Sequence, residues 1–152
     1  MRPLPDAQRD VLAALDRLPS VRVELSAATG LALAEPVVAK HDLPPFANSA
    51  MDGYAVVAAD VTVVPVVLPV LEDVPAGSVP TRTVEAGTAI KIMTGAPMPE
   101  GADAVVPVED TEPVGDGVRV LAGVPAGESV RPVGDDVAAG TVVLREGERL
   151  TP

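Results

Sequence analysis

The chain has 152 residues, 47% of them apolar, with no cysteine, one histidine and a formal net charge of -11, a length that suits one domain or two small subdomains sharing a core. This composition excludes disulfides, thiolate zinc centres, iron-sulfur clusters and a cysteine nucleophile, and leaves a hard cation on oxygen ligands as the metal chemistry open to the chain. Eleven Lys and Arg against 22 acids, with Phe46 and Tyr54 as the whole aromatic content, oppose a nucleic-acid partner. Val61–Leu71, broken by Pro65 and Pro69, is the longest uncharged apolar run and is far shorter than the roughly 20 residues of a membrane span. No secretory signal pattern opens the chain, so a cytoplasmic protein without membrane contact is expected.

Between Pro5 and Leu18 the apolar residues Val11, Leu12, Leu15 and Leu18 recur at helical spacing, with Asp6, Arg9, Asp10, Asp16 and Arg17 opposite. This predicts one amphipathic helix, stopped by Pro19. Ser26–Thr29 reads as a helical turn closed by Gly30, and Leu31–Ala39 as extended chain around Pro36. Beyond His41 the pattern changes to valine, of which the chain has 28, punctuated by Gly and Pro. It predicts short strands at Tyr54–Val57, Val61–Val64, Val66–Leu71, Ala89–Met93, Ala104–Val108, Val118–Leu121 and Val142–Leu144, with a hairpin turn at Gly115-Asp116-Gly117. Strand and helix do not alternate, so a small barrel or sandwich is expected in place of a parallel nucleotide-binding sheet. The repeated Val-Pro-Ala-Gly at Val74–Gly77 and Val124–Gly127 is turn chemistry.

Three segments and one side chain could carry chemistry. Leu43–Val56 gathers both aromatics with Asn48, Ser49 and Asp52 beside Gly53; residue physics favours a rigid polar turn packed on Phe46 and Tyr54, with Asp52 as a cation ligand the sharper alternative. Buried, Phe46 would cost roughly 3 to 5 kcal/mol on truncation to Ala. After Ile90-Lys91-Ile92, the turn Met93–Pro97 offers the Thr94 hydroxyl and the Gly95 amide to an oxyanion, although no Lys follows as in phosphate-binding loops. Asp135 and Asp136, after Arg131, could hold a divalent cation, but adjacent residues on a strand face opposite ways. The six acids within Glu100–Asp116 read as a solvated face, and His41 as a partly exposed structural residue.

Taken in order, Leu43–Val56, Ile92–Glu109 with Thr111, and Arg131–Leu150 resemble the front portion of the molybdopterin molybdenumtransferase (gephyrin/MoeA) family, which inserts molybdenum into adenylylated molybdopterin. Asn48-Ser-Ala-Met-Asp-Gly-Tyr-Ala and Ile92-Met-Thr-Gly-Ala-Pro carry most of the likeness. The resemblance implies an α+β, mostly β chain: a mixed α/β domain I from residues 1–44 and 136–152, and a distorted β-barrel-like domain II, residues 45–135, inserted into it. A pterin-binding domain III follows in longer relatives and is expected to be absent from this chain. Carried over by position, Asp52, Thr94 and Asp136 are the catalytic candidates, Ser49 and Gly95 the cofactor-binding ones, and Asp52 and Asp136 the metal ligands. Mg²⁺ and molybdate are implied, neither held tightly by this chain alone, together with adenylylated molybdopterin as partner and a homodimer in the full-length context.

The sequence departs from the family at Leu31 and Val57, where Arg is usual, at Pro132 and Val133, where basic residues are common, and at Asp135, where Glu is shortened. Each lost cation removes a charge-assisted bond worth roughly 1.5 to 3 kcal/mol. The expected function is therefore the N-terminal part of a molybdenumtransferase, inactive alone; a non-catalytic binding or assembly module is the alternative, and an independent metal-dependent hydrolase ranks last.

Overall fold

The computed structural model describes residues 3–16 and 18–152, so Met1, Arg2 and Arg17, the last placed on the helix's polar face above, lie outside the described residues. Among the described residues the chain is mostly β with a single α-helix, and it forms two compact units, one of Met1–Val37 with Val142–Pro152, the other of Val38–Thr141. Leu43 exchanges backbone hydrogen bonds with Val137 inside the larger unit, which carries that unit's borders outward of residues 45 and 135.

In the smaller unit, helix α1 (Leu4–Ala13) opens with Pro5 in its first turn and with Asp6 against the helix dipole. It ends at Ala13, short of the expected Leu18. No residue of α1 is buried, and Leu12, Leu15 and Leu18 are all exposed, so no packing extends a helix that propensity alone supports only marginally. A 3-10 turn at Leu25–Ala27 follows, and Gly30 takes the left-handed conformation at φ 84°. Gly30 and Leu33 then donate to the Leu150 and Glu148 carbonyls at 2.8 and 2.9 Å, while β1 (Val37–Val38) pairs with β10 (Val142–Leu144).

The larger unit holds β2 (Asn48–Ser49), β3 (Gly53–Val56), β4 (Val66–Val74), β5 (Ala89–Ile92), β6 (Ala104–Pro107), β7 (Thr111–Val114), β8 (Gly117–Val120) and β9 (Val130–Arg131). Six of them form a curled half-barrel sheet in the order β6-β3-β5-β4-β8-β7, antiparallel except between β4 and β5; β2 and β9 make a separate antiparallel pair. Strands β3, β5 and β6 of the sheet are covered on both faces. Tyr54, Val56, Ala104, Val106, Val118 and Val120 pack on one side, and Ala55, Ile90, Ile92 and Val105 on the other, as the two-residue period dictates. A strand so placed reads as a nearly continuous apolar run, which is why β3, β5 and β6 were legible, whereas β8 was legible by alternation, Val118 and Val120 buried and Gly117 and Arg119 half-buried. At β3 the approach of β6 is so close that a Cβ on Gly53 would overlap the Val106 carbonyl.

Two departures from the expected strands have local causes. Val61–Val64 is not a strand: a 3-10 turn at Ala58–Val61 is held by Thr62 Oγ1 donating to the Ala59 carbonyl and by the Gly87 amide donating to Asp60, and Pro65 supplies no N–H. Strand β7 was not expected, because Thr-Glu-Pro-Val is polar and contains Pro113, yet it lies at the sheet edge, where proline is tolerated. It joins β8 through Gly115-Asp116, with Gly115 at φ 57° as a two-residue hairpin requires.

Phe46 is not a buried anchor. It is 45% exposed, whereas Tyr54 is 8% exposed; Ala55, Ile92, Ala96 and Val105 fill the interior next to the motif. Ile90→Ala is expected to destabilise by about 2 to 5 kcal/mol, and Phe46→Ala by less than half as much, measured as the shift in urea midpoint at constant m.

Candidate functional site

The segment after Pro45 is fixed by backbone bonds on both flanks of β2. Ser49 N–H donates to the Ala96 carbonyl at 3.0 Å, Gly95 N–H to the Ser49 carbonyl at 2.8 Å, and Met98 N–H to the Ala47 carbonyl at 2.9 Å. On the other flank Asn48 and Ser49 pair with Arg131 and Val130, and Ala50 N–H donates to the Ser129 carbonyl. Ser49 is fully buried, and its hydroxyl donates to the Met51 carbonyl while accepting from the Met51 N–H. This is a side-chain turn of the kind the residue pattern suggested. Its effect is to reverse the chain so that Asp52 stands, exposed, at the head of β3.

Asp52 meets Thr94 there. One carboxylate oxygen, Oδ1, accepts from the Thr94 N–H at 2.8 Å and from its hydroxyl at 2.7 Å. The hydroxyl bond and then the amide bond hold the Asp52 carboxyl below the usual carboxylate range, against a smaller opposing effect of burial. The Asp52 carbonyl is itself fixed by the Val108 N–H at 2.9 Å. Among the described residues Oδ2 has no hydrogen-bond partner, so the arrangement is an anion with one oxygen locked and one open. Both Thr94 donors point at Asp52, which makes Thr94 the holder of that carboxylate in this geometry. Gly95, at φ 82°, gives its amide to Ser49, and the space where its side chain would stand is open.

Asp135 and Asp136 do not lie on a strand. They sit in the turn that follows β9, so the rule that neighbours face opposite ways does not govern them. Gly134, Asp136 and Val137 donate their amides to Pro44, Leu43 and Leu43 carbonyls at 2.9, 2.9 and 3.1 Å. Both carboxylates are exposed, and neither has a hydrogen-bond partner among the described residues. The structure thus joins Asp52 to Thr94 and Ser49 to Gly95 by direct hydrogen bonds, and ties Asp136 to the start of the Leu43–Val56 segment, with no hydrogen bond to Asp52 or Thr94 among the described residues. His41 is exposed, and its side chain makes no hydrogen bond among the described residues. Among the described residues, no three acidic or imidazole groups are close enough to share a metal ion.

Sequence reading overlooked Asn48 and Arg131 as a pair. They stand directly opposite on β2 and β9, Asn48 only 4% exposed, and each has a buried unpartnered atom: the Asn48 amide oxygen and the Arg131 Nε. Asn48 Nδ2 donates to the Phe46 carbonyl at 3.3 Å. An acceptor and a donor left open side by side on paired strands can take a polar group between them, because buried polar atoms are rarely left unsatisfied. The one available signal was a lone cation between Val130 and Pro132 in a strongly acidic chain.

Residues 2–152 match the family described as MoeA N-terminal region (domain I and II). The chain is 46% identical over 156 residues to molybdopterin molybdenumtransferase 2 of Mycobacterium tuberculosis strain H37Rv, an alignment covering all of this chain and 38% of that protein. It is 40% identical over 149 residues to the molybdopterin molybdenumtransferase of Synechococcus elongatus, covering 93% of this chain and 37% of the relative. A crystal structure of the molybdopterin biosynthesis moeA protein from Pyrococcus horikoshii OT3 superposes with a TM-score of 0.83 at 43% identity, covering 86% of this chain and 35% of that one. The chain spans under two-fifths of the length of these relatives. With the family matched over residues 2–152 and the half-barrel sheet shared with the solved structure, the chain belongs to the MoeA N-terminal region family.

Proposed function

We propose that this chain contributes the domain I and II side of a molybdopterin molybdenumtransferase site, acting in molybdenum cofactor biosynthesis on adenylylated molybdopterin and molybdate. The observation that carries this reading is the Asp52–Thr94 contact. It joins the two motifs most specific to the family, at an exposed edge, and leaves an ionised carboxylate oxygen free. Asp52, Thr94 and Asp136 are the catalytic set: Asp52 presents charge, Thr94 orients it, and Asp136 enters from the turn after β9. Ser49 and Gly95 act through the turn they lock, and Asn48 with Arg131 offers an acceptor and a cationic donor to a polar or anionic part of the substrate.

Magnesium suits this donor set in one specific way. Mg²⁺ keeps several waters and is held by one or two carboxylates plus substrate phosphates, and the open oxygen of Asp52 with Asp136 supplies that number. Bound there, it would neutralise charge on a phosphate of the substrate. A pterin-binding domain, a homodimer in the full-length protein and a cytoplasmic setting complete the reading. Among the described residues no helix is long and apolar enough to cross a membrane. The apolar or uncharged residues at Leu31, Val57, Pro132 and Val133, where the resemblance implies cations, favour the second reading, a non-catalytic binding or assembly module.

The isolated chain is expected not to turn over adenylylated molybdopterin with molybdate and Mg²⁺, and to do so when a separately expressed family pterin-binding domain is added. In that mixture Asp52→Asn should lower turnover by about 100-fold or more with an unchanged thermal melt; a mixture that stays inactive sinks the transferase reading and favours the module. The ionisation of Asp52 has its own check. Its folded-state pKa lies below the unfolded value, so the Thr94 contact stabilises the fold above the unfolded pKa, and that contribution disappears as pH falls through the lower folded value. A carbon-13 titration of the Asp52 carboxyl should give a midpoint below about 3.9, rising toward it in Thr94→Val.

A further inference from the structure

Asp42, which no motif singled out, lies at the mouth of the turn that carries Asp136. Its Oδ1 accepts from the Ala139 N–H at 2.8 Å. The same oxygen lies against Gly134: a Cβ built there would stand 3.2 Å from Asp42 Oδ1, 3.6 Å from Asp42 Cγ and 3.5 Å from the Ala138 Cα. Gly134 is at φ 71°, a conformation that L side chains rarely adopt. One carboxylate therefore fills the space between the first and last residues of Gly134–Ala139.

The other anchors of this turn are of a different kind. Gly134, Asp136 and Val137 donate to the carbonyls of Pro44 and Leu43, acceptors that any residue provides. Asp42 is the only side chain among the acceptors of these amide bonds. Backbone bonds also close both sides of the turn, Asp136 and Val137 to Leu43 and Gly140 to Ala39 at 2.8 Å, so removing the carboxylate takes away the one side-chain anchor of the stretch between them, at Ala139 and against Gly134, and with it the packing that sets how the turn presents Asp136. We infer that Asp42 is a positioning residue for Asp136, acting as a neutral-or-charged acceptor that sets the Gly134–Ala139 turn. The inference rests on the reading of Asp136 as a site residue, and it extends that reading to a group that touches no substrate.

The requirement is for an acceptor at one point, so Asn should replace Asp and Ala should not. In the 152-residue chain, amide hydrogen exchange at Asp136 and Ala139 is expected to quicken by about tenfold or more in Asp42→Ala, to stay near the unsubstituted rate in Asp42→Asn, and to be unchanged at Val118 in the core. In the reconstituted transferase mixture, Asp42→Ala should lower kcat/KM by about 10- to 100-fold, a size typical of residues that orient a ligand group, with recovery in Asp42→Asn. Gly134→Ala, which displaces the carboxylate without removing it, should reproduce the Ala phenotype and serves if Asp42→Ala fails to fold. Unchanged exchange and turnover in Asp42→Ala, or loss in Asp42→Asn equal to that in Asp42→Ala, overturns the inference. If Asp136→Asn leaves turnover intact while Asp42→Ala quickens exchange, the catalytic assignment of Asp136 falls, and with it the link from Asp42 to the reaction.

Discussion

The tight approach of β6 to β3 at Gly53 is the constraint on which the larger unit turns. With no room for a Cβ beside the Val106 carbonyl, β3 can sit between β5 and β6 and be covered on both faces. The register that follows, Gly53 opposite Ile92 on one side and Pro107 on the other, puts the residue before β3 next to the residues after β5. Asp52 and Thr94 meet because the sheet closes there. The interaction that gives the site its charge is thus a consequence of a packing requirement one residue away.

Electrostatically the arrangement is economical in cations. In a chain of net charge -11, Asp52, Asp135 and Asp136 have no ion pair among the described residues, whereas Lys91 pairs with Asp73, Arg119 with Glu112, and Arg9 with Asp6. These are exposed pairs of the sort worth little to stability. Asp52 keeps its charge through hydrogen bonds from Thr94, which neutralise nothing, so the negative potential stays available to a ligand. Arg131 stands as the cationic counterpart, across the strand pair from Asn48.

How much of this was legible in the chain depends on the range of the interaction. Buried strands announced themselves through valine and isoleucine runs, and the Gly115-Asp116 hairpin through its turn residues, because both signals are local. Phe46 misled because aromatic residues are usually buried, whereas the space beside the motif was already filled by smaller side chains such as Ala55 and Ala96. The end of α1 was misjudged for the opposite reason: the apolar pattern continued, but nothing packs on it. The bond between Asp52 and Thr94, and the opposition of Asn48 and Arg131, could not be read from spacing, since register across a sheet decides them. Only the likeness to a family placed Asp52 and Thr94 on one site, and it assigned no site role to Arg131 or Asp42.

The span of these contacts along the chain carries a kinetic consequence. Asp52 and Thr94 are 42 residues apart, Ala58 and Asp103 are 45 apart, and Asp42 and Ala139 are 97 apart. Closing the longest of these loops costs only roughly 0.7 kcal/mol more than closing the shortest, but each such contact must first meet its loop-closure entropy, and topologies rich in them fold on millisecond to second timescales. The hairpin of β7 and β8 is local and can form early. The turn bearing Asp136 is completed from the two ends of the larger unit, so it closes late, and a nascent chain acquires its sheet before it acquires its site.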